Sequence, residues 1–430
     1  MKIIWLCNII LPVIAKELGR KGSVVGGWLS GIYDKIGADS KLELGVCFPD
    51  LTADKVYQGT CGKTRYWGFP QTRKDFTAYN AKVEAYFYEI VCKEQPDIIH
   101  IFGTEFPHTA AMVNACERAG MIDRVIISIQ GLVSVYAGHY YTGVPKRIVN
   151  SYTFRDFVRH DNLRIQAENF VKRGIFEKQA VGKVKHVIGR TDFDKACVLQ
   201  MNPDVNYYHC NENMRSVFYS REWSYEDCEK HSVFFVNQSN YPIKGIHYVL
   251  EAVSVLKEKY PDIKVYTTGD SPLANQGIKD KLRQGSFNRF VTGELQRRGL
   301  QDNIVFCGAL DEEQMVKRYL EANCFLLPST IENSPNSLGE AMLLGLPCVA
   351  ADVGGVKNML VHDEEGYVYQ PDAPYMMAYY IDKVFEMGAE CKAFSQKARL
   401  HAQKTHDAEV NNEKLFAVYQ QVINSAKGEV

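Results

Sequence analysis

The sequence has few of the features that assign a chain to a membrane, secreted or nucleic-acid-binding class. No run among its 430 residues reaches the about 18 to 20 consecutive apolar residues that a spanning helix needs. Neither charge sign prevails: 50 basic side chains meet 51 acidic ones, a formal net charge of −1, so no overall field gathers nucleic acid or an acidic partner. Twelve cysteines are scattered singly from Cys7 to Cys391, with no C-x-x-C and no Cys/His cluster. That spacing excludes a disulfide framework and a zinc site, and it reads as a reduced, cytoplasmic chain. There is no low-complexity tract and no repeat in the range of about 20 to 50 residues, so solenoids and propellers are excluded. The opening MKIIWLCNIILPVIAKE imitates a secretory leader, because Lys2 precedes an apolar run. Asn8 and Pro12 interrupt that run, and a buried opening strand followed by a loop is the simpler reading.

What is present is length and alternation. The chain exceeds one ordinary core, which points to two domains of about 200 residues each. Short β-rich runs alternate with amphipathic helix-length segments, the pattern of parallel sheets built from βαβ units. IIWLCNI, LELGVCF, DIIHIF, RVIISI and HVIG form one group of strands, and SVFFVN, IKVYTTG, NIVFCG, CFLLPS and PCVAAD a second. The turn-rich stretch from Asn202 to Trp223 breaks the alternation. The domains are therefore expected at 1–210 and 211–407, with a mostly helical tail after Pro374 that ends in a helix over 408–426.

One segment is locally charged. From Gly143 to His186 ten basic residues face four acidic ones, an excess of six positive charges, with Phe154, Phe157, Phe170 and Phe176 among them. A solvated helix face or a surface that leans on anionic lipid headgroups would both look like this.

The most informative stretch is PSTIENSPNSLGEAMLLGLPCVAADVGG, residues 328 to 355. An apolar strand ends at Pro328, Ser334 offers an N-cap with Pro335 at the first helical position, and Gly345 is a good stop. Strand-to-helix turns of this kind, at the carboxyl end of a parallel sheet, are where α/β folds bind ligands. The first-turn amides of Ser337 and Leu338, beside Asn336, would face an anion at the positive end of the helix dipole. At about 1.5 Å rise per residue, Glu340 lies about 9 Å along the axis from Ser334. Glu332 stays in the loop ahead. Two carboxylates flanking an anion site match a nucleotide-sugar, whose hydroxyls lie on either side of its diphosphate.

Nearly position for position, this stretch resembles the donor-binding motif of glycosyltransferase family 4. The resemblance implies the α/β GT-B fold, with two Rossmann-like domains facing across a cleft and a C-terminal helix crossing back to the first. It also implies retention of anomeric configuration. NQSNYPIKGIHYVLEAVSVLK is similar to the family's loop and helix carrying a basic pair, with Lys244 at the diphosphate-neutralising position and Gln238 near the place of the expected arginine. The loop after Gly308, with Ala309 and Leu310, is implied to lie beside the nucleotide base. VVGGWL resembles the glycine loop that approaches the phosphates, through Gly26 and Gly27. Gln130 stands where many members carry a histidine near the donor sugar, with His108 and His139 as possible substitutes on the acceptor side. The D-x-D at Asp192 to Asp194 opens a helix and reads as its cap, so no metal and no cofactor are expected; the nucleotide-sugar is a substrate.

These readings converge on a cytoplasmic, metal-independent retaining glycosyltransferase. The donor would bind the second domain, with Lys244 and Glu332 at the reacting centre, and the acceptor the first. The expected acceptor is a saccharide or lipid-linked oligosaccharide of bacterial surface polysaccharide assembly, with 143–186 touching an anionic membrane peripherally. A GT-B epimerase and a non-catalytic nucleotide-sugar-binding subunit are the alternatives.

Overall fold

Strand β1 (Lys2–Leu6) is central to the first half of the chain, and Ile3 through Leu6 are at most 1% exposed. It pairs in parallel with β2 (Glu43–Asp50) on one side and β5 (Ile98–Phe102) on the other. Burial on both faces explains why these strands read as unbroken apolar runs. The computed structural model describes residues 1–20, 28–38, 41–237, 241–273, 277 and 282–428. Among them the chain divides into two compact units. The first comprises 1–137, 169–215 and 406–430, and the second 138–168 and 216–405.

The first unit holds an eight-stranded sheet in the order β3-β4-β2-β1-β5-β6-β7-β8. Besides the three strands above it contains β3 (Tyr57–Cys61), β4 (Thr64–Pro70), β6 (Val125–Ser128), β7 (His186–Gly189) and β8 (Asn206–His209). Only β3 runs antiparallel, in a hairpin with β4. The second unit holds a fully parallel six-stranded sheet in the order β11-β10-β9-β12-β13-β14. Its strands are β9 (Ser232–Phe235), β10 (Lys264–Thr267), β11 (Ile304–Phe306), β12 (Cys324–Leu327), β13 (Cys348–Ala351) and β14 (Tyr367–Tyr369).

The C-terminal helix Ala408–Lys427, capped by the Asp407 carboxylate on the amides of Glu409 and Val410, groups with the first unit. A buried relay ties it to the sheet. The Trp5 indole donates to the Tyr419 hydroxyl (3.3 Å), which donates to His100 Nδ1 (2.7 Å), and His100 Nε2 donates to Ser128 Oγ (2.7 Å). Burial pushes His100 down to about 3, so the ring is the neutral tautomer that this chain of donors requires.

Residues 138–168, assigned by the sequence to the first domain, group with the second unit instead. Their polar contacts show why. His247 Nε2 donates to the Thr142 carbonyl (2.9 Å), and the Asp156 carboxylate accepts from the Ser286 amide (2.9 Å) at the start of helix Ser286–Arg297. The cationic segment 143–186 is accordingly split between the units. Phe154 and Phe157, on the short helix Phe154–Arg159, are 63% and 66% exposed. Phe170 lies under the Arg173 guanidinium and Phe176 stacks on Tyr79.

Candidate functional site

In an open α/β sheet, ligands bind outside the carboxyl ends of the strands where the strand order reverses. In the second unit that switch point lies between β9 and β12, because the chain leaves β9 toward β10 and leaves β12 toward β13. Both carboxyl ends carry charge. The loop after β9 runs into a 3-10 turn, Pro242–Lys244, and then helix Ile246–Lys259. The loop after β12 carries Ser329 and Glu332.

Lys244 Nζ donates to Glu332 Oε1 at 2.5 Å, and Ser329 Oγ donates to the same oxygen at 2.8 Å. The pair therefore bridges the switch point. Its backbone is fixed as well: the Thr330 amide donates to the Ile243 carbonyl (2.8 Å) and the Gly355 amide to the Glu332 carbonyl (3.3 Å). The Lys244 side chain keeps 31% of its surface exposed and that of Glu332 12%, so the ammonium remains reachable. One of its three donors is spent on Glu332, which leaves two for a ligand's oxygens.

The helix that follows spans Asn336–Leu344 and ends at Gly345, whose φ of 74° gives the left-handed cap expected of a glycine there. Its start differs by one residue from the sequence reading, since Pro335 is the N-cap and no side chain caps the helix. The Leu338 amide was expected to face a ligand. It donates instead to the Pro335 carbonyl at 3.0 Å, because the carbonyl of an N-cap residue accepts the first bonds of its helix. The amides of Asn336 and Ser337 precede it at the dipole's positive end.

Glu340 is buried at 6% exposure and accepts from the Tyr319 hydroxyl at 3.2 Å. Tyr319, on helix Glu312–Glu321, also reaches the Ser337 carbonyl at 3.1 Å. A buried carboxylate on an apolar helix face is costly unless paired, which sets Glu340 apart from an ordinary surface acid. Ser329 and Tyr319 carry no signal a sequence reading could use; they are a loop hydroxyl and a core aromatic until the sheet aligns them.

The other expected residues fall in different places. Gly308 closes a two-way amide bridge with Gly269 at the ends of β11 and β10, which presents Ala309, exposed, and Leu310, half-buried, beyond the sheet edge. Gly26, Gly27 and Gln238 lie outside the described residues. Gln130 donates through Nε2 to Glu212 Oε1, and Glu212 forms a buried ion pair with Arg190. That side-chain amide is thus engaged inside the first unit. His139 belongs to the second unit, where its carbonyl accepts from Thr330 Oγ1 at 3.2 Å, so its backbone meets the loop of Glu332. His108 is buried in the first unit, between Gln71 and Asn8.

In the D-x-D, Thr191 caps helix Asp192–Met201, and the Asp194 carboxylate is spent on the Arg190 amide and the Tyr207 hydroxyl. No group of three or more His, Cys, Asp or Glu side chains among the described residues is placed to hold a metal ion. No helix among them is long and apolar enough to cross a membrane.

Residues 224–401 match the family model for glycosyl transferases group 1. An uncharacterized glycosyltransferase of Methanocaldococcus jannaschii is 25% identical over 166 residues, 39% of this chain and 38% of that protein. The amylovoran biosynthesis glycosyltransferase AmsK of Erwinia amylovora is 30% identical over 132 residues, 29% of each chain. The match thus spans well under half the length of these relatives. Likeness of fold extends further. Sucrose-phosphate synthase of Thermosynechococcus elongatus superposes with a TM-score of 0.69 at 15% identity, covering 99% of this chain and 100% of that one. HepE of Anabaena, solved in complex with UDP-glucose, gives 0.64 at 16% identity over 98% and 100%.

Proposed function

We propose that the protein, which has the GT-B fold of those glycosyltransferases, is a metal-independent retaining glycosyltransferase of family 4. It transfers a sugar from a UDP- or GDP-linked donor held by the second unit. The observation that carries this reading is the Lys244–Glu332 pair bridging the β9/β12 switch point, one helix start away from Glu340. The costly event in such a transfer is departure of the nucleoside diphosphate from the anomeric carbon. Negative charge then grows on the leaving oxygens, and a fixed cation there lowers the barrier more than it stabilises the bound donor. Lys244 is that cation, aided by the first-turn amides of Asn336 and Ser337. Glu332 orients the ammonium and accepts from donor-sugar hydroxyls, while Glu340 accepts from the ribose. The resemblance implies attack from the face the leaving group vacates, so no protein nucleophile is assigned.

The favoured acceptor is a saccharide on a lipid carrier in bacterial surface polysaccharide assembly, handled at the cytoplasmic face of the membrane. Two things support it: AmsK is named for amylovoran biosynthesis, and Phe154, Phe157 and Val158 stand exposed beside Arg159 on one short helix. Flotation with vesicles containing phosphatidylglycerol at low salt is expected to carry the protein upward. Phe154→Ser with Phe157→Ser should abolish this without changing nucleotide binding. Flotation of the double variant at the wild-type level would remove the membrane from the reading.

The donor assignment is tested by thermal shift and calorimetry against UDP, GDP, ADP and their sugars. One nucleotide is expected to raise the melting temperature, since a ligand at 100 times its Kd stabilises by about 2.7 kcal/mol. Glu340→Ala should lose most of that shift. Binding without turnover on any acceptor would favour the non-catalytic subunit.

A further inference from the structure

The first unit has a switch point of its own, between β1 and β5, where the chain leaves β1 toward β2 and β5 toward β6. The residues that follow the two strands meet across it. Asn8 Nδ2 donates to Glu105 Oε2 at 2.7 Å, and the amide of Gly131, in the loop after β6, donates to Glu105 Oε1 at 3.0 Å. Behind Asn8 the chain of donors continues in one direction. Gln71 Nε2 donates to His108 Nδ1 (3.3 Å), which leaves the proton on Nε2 to be donated to Asn8 Oδ1 (2.7 Å). The segments after β1 and β6 thus meet on one carboxylate, and Gln71 and His108 stand behind Asn8.

The surroundings hold that carboxylate rather than fill its place. Gly103, at a φ of 93°, has no room for a side chain, because a β-carbon there would overlap the Glu105 carboxylate and the Asn8 amide. Thr104 Oγ1 lies 3.2 Å from the Gly131 carbonyl and 2.7 Å from Glu177 Oε2. Glu177 in turn accepts from the amides of Val133 and Ser134, so the loop carrying Gly131 is fixed. Arg173 Nε donates to the Glu105 carbonyl at 2.6 Å, and its guanidinium lies over the Phe106 ring. Glu105 itself is only half-buried.

We propose that Glu105 is the hydroxyl-binding residue of a sugar site at the first unit's switch point, oriented there by the Gln71–His108–Asn8 chain. A carboxylate offers about four lone-pair sites, and the Asn8 side chain and the amides of Gly131 and Glu105 itself occupy three of them. What remains accepts, so the complementary ligand group is a donor. The negative charge repels phosphates, and a neutral polyol supplies hydroxyls without the cost of pairing a second charge. That this sugar is the acceptor of transfer rests on the glycosyltransferase reading; the site itself does not.

Among the described residues the charged groups facing Glu105 are Arg173 and Glu177. Burial and Glu177 push its carboxyl up, to about 7, against Arg173 and the amides. The imidazole in its chain, His108, is held down near 3 by burial and stays neutral. The stronger acceptor is the ionised form, so sugar binding should weaken as pH falls from 8 to 6.

The test is calorimetry and saturation-transfer NMR with octyl β-glucoside, octyl β-galactoside and octyl α-mannoside on the full chain, beside UDP and GDP titrations. At least one glycoside is expected to bind, about tenfold or more weakly to Glu105→Gln, the loss of a charge-assisted hydrogen bond, and without the wild-type pH dependence. Nucleotide affinity should not change. Should Glu105→Gln melt early, Asn8→Ala gives the same readout by freeing the carboxylate to turn. Equal glycoside binding by wild type and Glu105→Gln, or no binding by wild type, overturns the site. Failure of both UDP and GDP to bind wild type while glycosides do overturns the transferase reading and leaves the sugar site standing.

Discussion

Lys244→Ala is expected to lower the rate of sugar transfer by about two to three orders of magnitude, the usual cost of removing one positioned donor from developing charge. The fall should appear in kcat more than in the donor KM, because the ammonium acts on charge that the bound diphosphate gains only as the glycosidic bond breaks. Two contributions add. The leaving oxygens lose a cation, and the largely buried Glu332 carboxylate is left beside them without its 2.5 Å partner and repels the same charge. A double-mutant cycle separates them. Lys244→Ala with Glu332→Gln should be less impaired than the sum of the single losses, with a coupling in the range of about 0.5 to 3 kcal/mol typical of residues in contact. Additive losses would mean that the pair does not act as a unit. Single-turnover measurements with saturating donor are the appropriate readout, since product release can mask a change in chemistry.

How much of this was legible beforehand depended on how local the signal was. Glu332, Glu340 and the helix stop at Gly345 sit within one short stretch, where punctuation by proline and glycine and the burial pattern are read from neighbours in sequence. The strands buried on both faces, β1, β5 and β12 among them, announce themselves as apolar runs. Strand β3 does not, because an edge strand with exposed alternate residues such as Gln58 and Thr60 resembles loop. β14 is three residues long, too short for any period. The placement of 138–168 with the second unit was not legible. It rests on contacts such as Asp156 to Ser286, 130 residues apart, and no periodicity encodes a partner at that distance. Asn8 and Glu105 were missed for the same reason, since each is a lone polar residue until the β1/β5 neighbours bring them to 2.7 Å. The start of helix Asn336–Leu344 was misplaced by one residue because Ser334 and Pro335 satisfy two capping rules at once, and the sequence does not say which of them the backbone takes.

Gly245→Ala is expected to destabilise the second unit by several kcal/mol. Gly245 joins the turn that carries Lys244 to helix Ile246–Lys259 at a φ of 74°, a left-handed conformation that costs a residue with a side chain about 1 to 2 kcal/mol. Space is the larger obstacle. A β-carbon there would overlap the carbonyl oxygen of Pro328, which is backbone at the end of β12 and has no rotamer to retreat into. Overpacking of this kind adds about 1 to 3 kcal/mol, and for a unit of this size each kcal/mol lowers the melting temperature by about 2 to 4 °C. The control is Gly293→Ala, on the exposed face of helix Ser286–Arg297, where φ is ordinary and nothing lies within 4 Å of an added β-carbon; it should be neutral or stabilising by up to about 1 kcal/mol. The contrast separates two ways in which Gly245→Ala can fail. If the unit unfolds early, the Gly245 to Pro328 approach is a requirement of the fold. If it holds and the two loops part, Lys244 and Glu332 lose contact, nucleotide binding survives through Glu340, and transfer is lost. An unchanged melting temperature together with unchanged turnover would show that the switch point tolerates a wider gap than the one the structure draws.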